Sequence, residues 1–274
     1  MLKYIAQVFK IFVNSSLNVV IASCICCVAF FKLPFGNSSI NYASILLLGS
    51  ISWIIYILDR ILDNQKSNDI KSERHEFHKK NQFVLQFIVL GLILVSFCLL
   101  VFQKREVLFF GLFIGCLVIL YFFIINKTAK GKYFKEIFMP IIYCSAIVGI
   151  PFIEKTSINF SEWILALVFF NIIFQNTLFF SVKEYSEDVN LENICAILPP
   201  IKLRRTINYL GAINIFLVIF FFSGPFNYTQ KLAWLFLLIS ISISFLLSLP
   251  GKYLKNENYR WIVDGLLFLP LFIF

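Results

Sequence analysis

Long apolar segments alternate with short charged segments along the whole chain. The apolar segments are roughly 16–22 residues long, which is the length that a helix needs to cross the hydrocarbon core of a membrane. Such a helix satisfies every backbone group internally, and these segments lack the polar–apolar alternation of a membrane β-barrel. The pattern predicts nine membrane-spanning helices, near residues 15–36, 40–58, 84–102, 107–125, 137–153, 163–182, 207–223, 232–249 and 259–274.

Composition supports the same class of protein. The chain is 59% hydrophobic and 14% charged, whereas soluble proteins average about 25% charged residues. We therefore predict an all-α integral membrane protein, a nine-transmembrane-helix bundle that forms a single polytopic domain over residues 1–274. Residues 1–12 carry Lys3 and Lys10 among apolar residues at helical spacing, which indicates an interfacial helix or a lead-in to the first span.

The distribution of basic residues predicts the orientation. If the N-terminus is cytoplasmic, the inner segments hold 19 of the 24 Lys and Arg residues. This asymmetry follows the positive-inside rule, and we expect a multi-pass protein of a bacterial inner membrane with its site on the cytoplasmic side. The cations are spread over several loops at the membrane edge, so the net charge of +9 does not indicate nucleic acid binding.

An acid pair follows the second apolar segment. Asp59 and Asp63 are four residues apart, so they would lie on one face of a helix. Like charges repel there, and acids at a helix C-terminus oppose the helix dipole. We therefore favour Mg²⁺ ligation by both carboxylates, with Arg60 contacting phosphate. The alternative is a charged helix end that lies in water.

A second acid pair, Glu184 and Asp188, follows the sixth apolar segment at the same spacing. Gln175 and Asn176 lie one to two turns deeper in the span. Burying such amides costs free energy unless they find partners. Either they belong to a polar site below the acid pair, or they form hydrogen bonds between helices.

The two acid pairs share their spacing, their side of the membrane and their depth. This layout resembles the UbiA-type intramembrane prenyltransferase superfamily, whose members have nine helices and aspartate-rich motifs after helices 2 and 6. Asp59 and Asp63 match the two aspartates of the first motif, and Arg60 matches the frequent arginine between them. Ile55 stands where family members carry Asn.

In the second motif, Lys183, Glu184 and Asp188 match the family pattern, with Glu184 in place of the more usual Asp. The resemblance implies Mg²⁺-dependent transfer of a prenyl group from an allylic polyprenyl diphosphate to an acceptor within the lipid bilayer. The acceptor is expected to be a small aromatic compound, as in quinone biosynthesis, or a lipid. The expected metal ligands are Asp59, Asp63, Glu184 and Asp188, and the expected diphosphate-binding residues are Arg60, Lys127, Lys135, Lys183, Asn176 and Arg74.

Three further stretches have both a chemical and a structural interpretation. Residues 73–80 carry both histidines, His75 and His78, and could form a lid that brings Arg74 to substrate or a solvated helix before the third span. Lys127 or Lys135 could capture diphosphate, although topology alone explains most basic residues in 126–136. For Arg260 and Asp264 we favour an ion pair at positions i and i+4 over a site role.

Two other functions remain as alternatives. A CDP-alcohol phosphotransferase needs a Gly-containing acidic signature, and no glycine lies between Tyr56 and Asn81. A catalytically inactive protein, or a transport or binding protein on the same helical fold, fits the departures at Ile55 and Glu184. A transporter more often has helices broken near the midplane, and Pro140 and Pro151 are the candidates for such a break.

Overall fold

The computed structural model describes residues 2–66, 73–127, 133, 135–187, 193–223, 226–249 and 258–274. Those residues form helices and no strands, so the all-α prediction is confirmed. The α-helices are α1 Leu2–Asn14, α2 Leu17–Phe31, α3 Tyr42–Lys66, α4 Glu73–Lys80, α5 Gln82–Leu100, α6 Arg105–Lys127, α7 Lys135–Glu154, α8 Phe160–Glu187, α9 Pro200–Ile219, α10 Tyr228–Ser248 and α11 Asn258–Leu266. Short 3-10 helices cover Ile194–Ala196, Phe220–Ser223 and Leu269–Ile273.

Six of the described helices are long and apolar enough to cross a membrane, as a multi-pass membrane protein requires. Helix α5 shows this most clearly, because only 11% of its span is buried within the protein. Its phenylalanines at 83, 87 and 97 are exposed, and a helix that is apolar all round belongs in lipid or in a core. The six segments are Tyr42–Leu62, Gln82–Leu100, Arg105–Ile124, Lys135–Glu154, Phe160–Ser186 and Tyr228–Ser248.

The other three predicted spans have a different structure. The span predicted at 15–36 corresponds to α2, which is bent by 68° from the helix before it, at Ser16, whose φ is 64°. These two helices together form a possible seventh span. The span predicted at 207–223 lies in α9, whose first two turns carry three cations. A count of nine spans therefore stays a prediction.

The last predicted span, 259–274, is not one continuous helix. Helix α11 ends at Leu266, and a 3-10 helix follows from Leu269 to Ile273. Pro270 lies in the first turn of that 3-10 helix, and because proline lacks a backbone N–H it cannot continue the hydrogen bonding of an α-helix. The chain end therefore consists of two short pieces.

The contacts within the chain divide it into two compact units, Met1–Ile25 with Asn41–Lys104, and Cys26–Ile40 with Arg105–Phe274. We call them unit 1 and unit 2. In unit 1, α3 packs on α5 through a buried apolar cluster. In unit 2, α8 packs against α7, α9 and α10. The buried rings of Phe30, Phe169 and Phe236 form its aromatic centre, with centroid distances of 5.4–5.9 Å.

A chain of buried hydrogen bonds joins α8, α9 and α10 inside unit 2. Asn171 Nδ2 donates to Asn214 Oδ1 at 2.9 Å, and Asn214 Nδ2 donates to Ser240 Oγ at 3.0 Å. The Ser240 hydroxyl donates to Gln175 Oε1 at 2.7 Å, and Gln175 Nε2 donates to the Ile207 carbonyl at 2.9 Å. The sequence left two alternatives for Gln175, a polar site or hydrogen bonds between helices. The structure shows the hydrogen bonds between helices.

Helices α6 and α7 approach closely at Gly149. A Cβ added there would lie 2.2 Å from Phe110 Cζ, so we expect Gly149→Ala to lower the free energy of unfolding by about 1–3 kcal/mol. Thermal unfolding of the purified protein measures this. Adding Phe110→Ala should recover much of the loss caused by the clash, and Gly115→Ala, whose Cβ would meet nothing within 4 Å, is the control. If Gly149→Ala keeps the wild-type melting temperature, the close approach of α6 and α7 at this position is contradicted.

Candidate functional site

The first acid pair lies within a helix and not beyond its end. Helix α3 runs on to Lys66, so Asp59 and Asp63 have the helical spacing that the sequence predicts. Ile57 and Ile61 are buried in the cluster with α5, and at about 100° per residue Asp59 lies on the opposite face. Asp59 and Arg60 are half-buried. The Asp63 side chain lies outside the described residues.

The second cluster contains a carboxylate held by an arginine from a different helix. Glu184 lies in the last turn of α8, and its Oε1 forms an ion pair with a guanidinium N–H of Arg260 near the start of α11. The Glu184 side chain keeps 28% of its surface exposed, and Arg260 keeps 15%. This carboxylate is therefore neutralised by a neighbouring cation and still accessible to a ligand.

Aromatic rings hold the cations of this cluster in place. The Arg260 guanidinium carbon lies 5.5 Å from the ring centroid of Phe180, and the Lys183 ammonium lies 5.6 Å from that of Phe179. Tyr259, which is 1% exposed, packs against both phenylalanine rings at about 6 Å. A cation over a ring face is stabilised by the ring quadrupole, and Lys183 has this contact in a buried position.

Arg260 and Asp264 each contact α8. Arg260 pairs with Glu184, and Asp264 Oδ1 accepts from Asn176 Nδ2 at 3.4 Å. The favoured sequence interpretation, an ion pair between Arg260 and Asp264, stays a prediction. Helix α11 packs against α8, so both side chains reach across to it. Asn176 therefore has a hydrogen bond between helices, which was one of its two alternatives.

A buried carboxylate at the start of α7 completes the polar surroundings. Glu136 Oε1 accepts from the Ser181 hydroxyl at 3.0 Å and from the Ile194 backbone N–H at 3.5 Å. Its Oε2 is buried with no hydrogen-bond partner among the described residues. Sequence reasoning missed Glu136 as a site candidate, although an acid in the first turn of an apolar helix is a signal that could have found it.

Cys195, in the 3-10 helix that follows α8, borders the same carboxylates. Burial, and then the charges of Glu136 and Glu184, raise the pKa of its thiol to about 11. The thiol is therefore protonated at neutral pH, and it donates to the Ser181 carbonyl at 3.4 Å. A protonated thiol is a poor nucleophile and a poor metal ligand, so Cys195 acts here as a packing residue.

The remaining predicted site residues are distributed as follows. Lys135 is half-buried at the start of α7, beside Glu136 in sequence. Helix α4 forms where the sequence predicts a helix before the third span. Its His78 is only 1% exposed, so this side chain is not solvated. Asp188 and the side chains of Arg74, His75 and Lys127 lie outside the described residues.

The donor chemistry of the two clusters suits a hard cation. Glu184 and Asp59 offer carboxylate oxygens, which Mg²⁺ prefers, and both are partly accessible. Among the side chains that the structure describes, no three His, Cys, Asp or Glu residues come together as a metal site. The carboxylates of Asp63 and Asp188, the other two expected ligands, lie outside the described residues.

Comparison with protein-family models, with curated proteins and with solved structures found no match. The resemblance to UbiA-type prenyltransferases therefore rests on the residues of the two acidic motifs and on the order of the apolar segments.

Proposed function

We propose that this protein is a Mg²⁺-dependent prenyltransferase, which moves a prenyl group from an allylic polyprenyl diphosphate to an acceptor within the membrane. The observation that carries the proposal is the partly exposed Glu184 carboxylate, held by Arg260 at the end of the apolar helix α8. An anionic diphosphate needs both cations and metal-binding carboxylates, and this helix end supplies both in one place.

The cations of the cluster have a direct role in binding. Arg260 offers a planar donor set that matches phosphate oxygens in a bidentate manner, and Lys183 offers a point charge one residue from Glu184. If a metal ion replaces Arg260 on the Glu184 carboxylate, the guanidinium becomes available to the diphosphate. The ion pair then serves as the resting state of the site.

The expected metal ligands remain Asp59, Asp63, Glu184 and Asp188. A Mg²⁺ ion held by these carboxylates would neutralise charge that develops on the leaving diphosphate. In the reaction, the allylic C–O bond breaks and its electron pair goes to the diphosphate. The allylic carbon bonds to the acceptor, and the acceptor releases a proton. The apolar helices around the site exclude water, which would otherwise capture the cation.

The topology completes the proposal. Nine spans with a cytoplasmic N-terminus would bring both acidic clusters to the cytoplasmic side of a bacterial inner membrane, as the distribution of basic residues predicts. The two prolines that were candidates for a broken helix, Pro140 and Pro151, lie within α7, which is one continuous helix.

The test is release of diphosphate by the purified full-length protein in lipid nanodiscs, with a panel of allylic diphosphates and no acceptor. We expect release with Mg²⁺ and a fall of about 100-fold or more with EDTA or in Asp59→Asn, because either change removes transition-state charge stabilisation. Glu106→Gln, an exposed acid in the first turn of α6, is the control. Release from none of the donors would favour the inactive or transport alternative, and full activity in Asp59→Asn would reject the first cluster.

A further inference from the structure

Asn176 and Asp264 form a buried polar pair within unit 2. Their side chains are 7% and 4% exposed, and they are joined by the 3.4 Å contact from Asn176 Nδ2 to Asp264 Oδ1. Asn176 Oδ1 is buried and accepts no hydrogen bond among the described residues. Both side chains come from helices, so their positions are fixed by the packing of α11 on α8.

An unpaired buried acceptor is costly. Leaving such an oxygen without a donor costs about 1–3 kcal/mol, and native structures satisfy nearly all buried polar atoms. A ligand that donates an O–H or N–H to Asn176 Oδ1 removes that cost. The Asp264 carboxylate beside it also accepts hydrogen bonds, and its negative charge repels a ligand that carries a carboxylate of its own.

We propose that Asn176 and Asp264 bind the hydroxyl or N–H group of an uncharged acceptor, such as a phenol, and disfavour aromatic acids. The role as an acceptor subsite rests on the proposed prenyl transfer. This inference narrows the acceptor class, because aromatic acids and neutral phenols fit the resemblance equally well. It also gives Asp264 a role other than the structural ion pair with Arg260.

The spacing along α11 suits an acceptor beside the donor. Arg260 and Asp264 are four residues apart, which is about 6 Å along the helix axis. A diphosphate bound at Arg260 would therefore place its allylic carbon close to a phenol held at Asp264. When that carbon bonds to the ring, the ring loses a proton. Among the described residues, Asp264 is the carboxylate that would lie beside the ring.

The first arm of the test measures binding without catalysis. Hydroquinone and 4-hydroxybenzoate are titrated against the full-length protein in nanodiscs without donor or metal, with the shift in melting temperature as the signal. We expect hydroquinone to stabilise the wild type and to bind at least 10-fold more tightly than the acid. Asn176→Leu, which removes the acceptor oxygen, should weaken hydroquinone binding at least 10-fold.

The second arm uses Asp264→Asn, which keeps the size of the side chain and removes its charge. We expect the preference for hydroquinone over 4-hydroxybenzoate, in binding and in prenyl transfer, to fall at least 10-fold. Glu162→Gln is the matched control, because Glu162 is a carboxylate of α8 that is 1% exposed and paired with Lys155 at the opposite end of the helix. Its acceptor preference should remain that of the wild type.

The outcomes separate the two proposals. If no diphosphate is released from any donor but hydroquinone binding depends on Asn176 and Asp264, the prenyltransferase proposal fails and the binding site stands. If diphosphate is released but hydroquinone does not bind, or if Asp264→Asn keeps the wild-type preference, the acceptor site is rejected and the function stands. Asn176→Asp provides a second, isosteric test, because it adds a negative charge beside Asp264. We expect it to raise the preference for hydroquinone over 4-hydroxybenzoate, and a preference that stays at the wild-type value or falls would reject the acceptor site.

Discussion

Exchanging the charges of Glu184 and Arg260 is expected to restore the stability of the protein without restoring its activity. Each single change, Glu184→Arg or Arg260→Glu, places like charges together in a partly buried contact, so both should lower the melting temperature. The double variant re-forms an ion pair and should recover most of that loss. Diphosphate release should stay about 100-fold or more below wild type in all three, because the guanidinium no longer lies where the leaving group needs it.

The second ion pair of α8 provides the control. Lys155 and Glu162 pair at the other end of the helix, and exchanging them should leave diphosphate release unchanged. If the Glu184–Arg260 exchange regains wild-type release, the two groups serve only to hold α11 on α8. If the exchange does not recover the melting temperature, the stability of the pair depends on the contact of the Arg260 guanidinium with the Phe180 ring as well as on the attraction of opposite charges.

The Asn214→Leu variant is expected to lose about 2–5 kcal/mol of stability. Asn214 is fully buried and bonds both Asn171 and Ser240. Its removal leaves the Asn171 amide without its acceptor and takes one of its two bonds from the Ser240 hydroxyl, which still donates to Gln175. An unsatisfied buried amide costs about 1–3 kcal/mol, and the cavity left by the lost side-chain atoms adds to it. Unfolding of the purified protein by heat or by SDS measures the loss.

Two companion variants make this result specific. Asn171→Leu combined with Asn214→Leu should recover part of the stability, because replacing both partners removes the unsatisfied amide. Thr206→Ala on the same helix loses only a local bond to the Lys202 carbonyl and should change stability by less than about 0.5 kcal/mol. An Asn214→Leu protein as stable as the wild type would show that the helices repack without the network.

The length of an apolar segment predicts where a long helix lies, because a chain in lipid must form its backbone hydrogen bonds within its own helix. Helices α5 and α10 begin and end within about four residues of the predicted limits. Helix α8 continues five residues beyond the predicted limit at 182, to Glu187. The apolar part of a sequence indicates how far the hydrocarbon core extends. The helix itself can continue into water, because its backbone hydrogen bonds do not depend on apolar side chains.

The partners of the site residues were beyond the reach of sequence reasoning. The spacing of Asp59 and Asp63 is local, and α3 confirms it. The Glu184–Arg260 contact joins residues 76 apart, and nothing in a single sequence reports which helices meet. The i, i+4 rule points to Asp264 as a partner of Arg260, and it could not reveal that each of them also has a partner on α8.

The length of α8 has a consequence for how the protein meets its lipids. Its 28 residues extend about 42 Å, which exceeds a hydrocarbon core of about 30 Å even at a tilt of about 40°. The Glu184 end would then project into the headgroup layer, where Arg260 and Lys183 meet lipid phosphates. Under the proposed function, those phosphates would compete with the diphosphate for the same cations, so bilayer thickness and the share of anionic lipid would affect diphosphate affinity through hydrophobic mismatch.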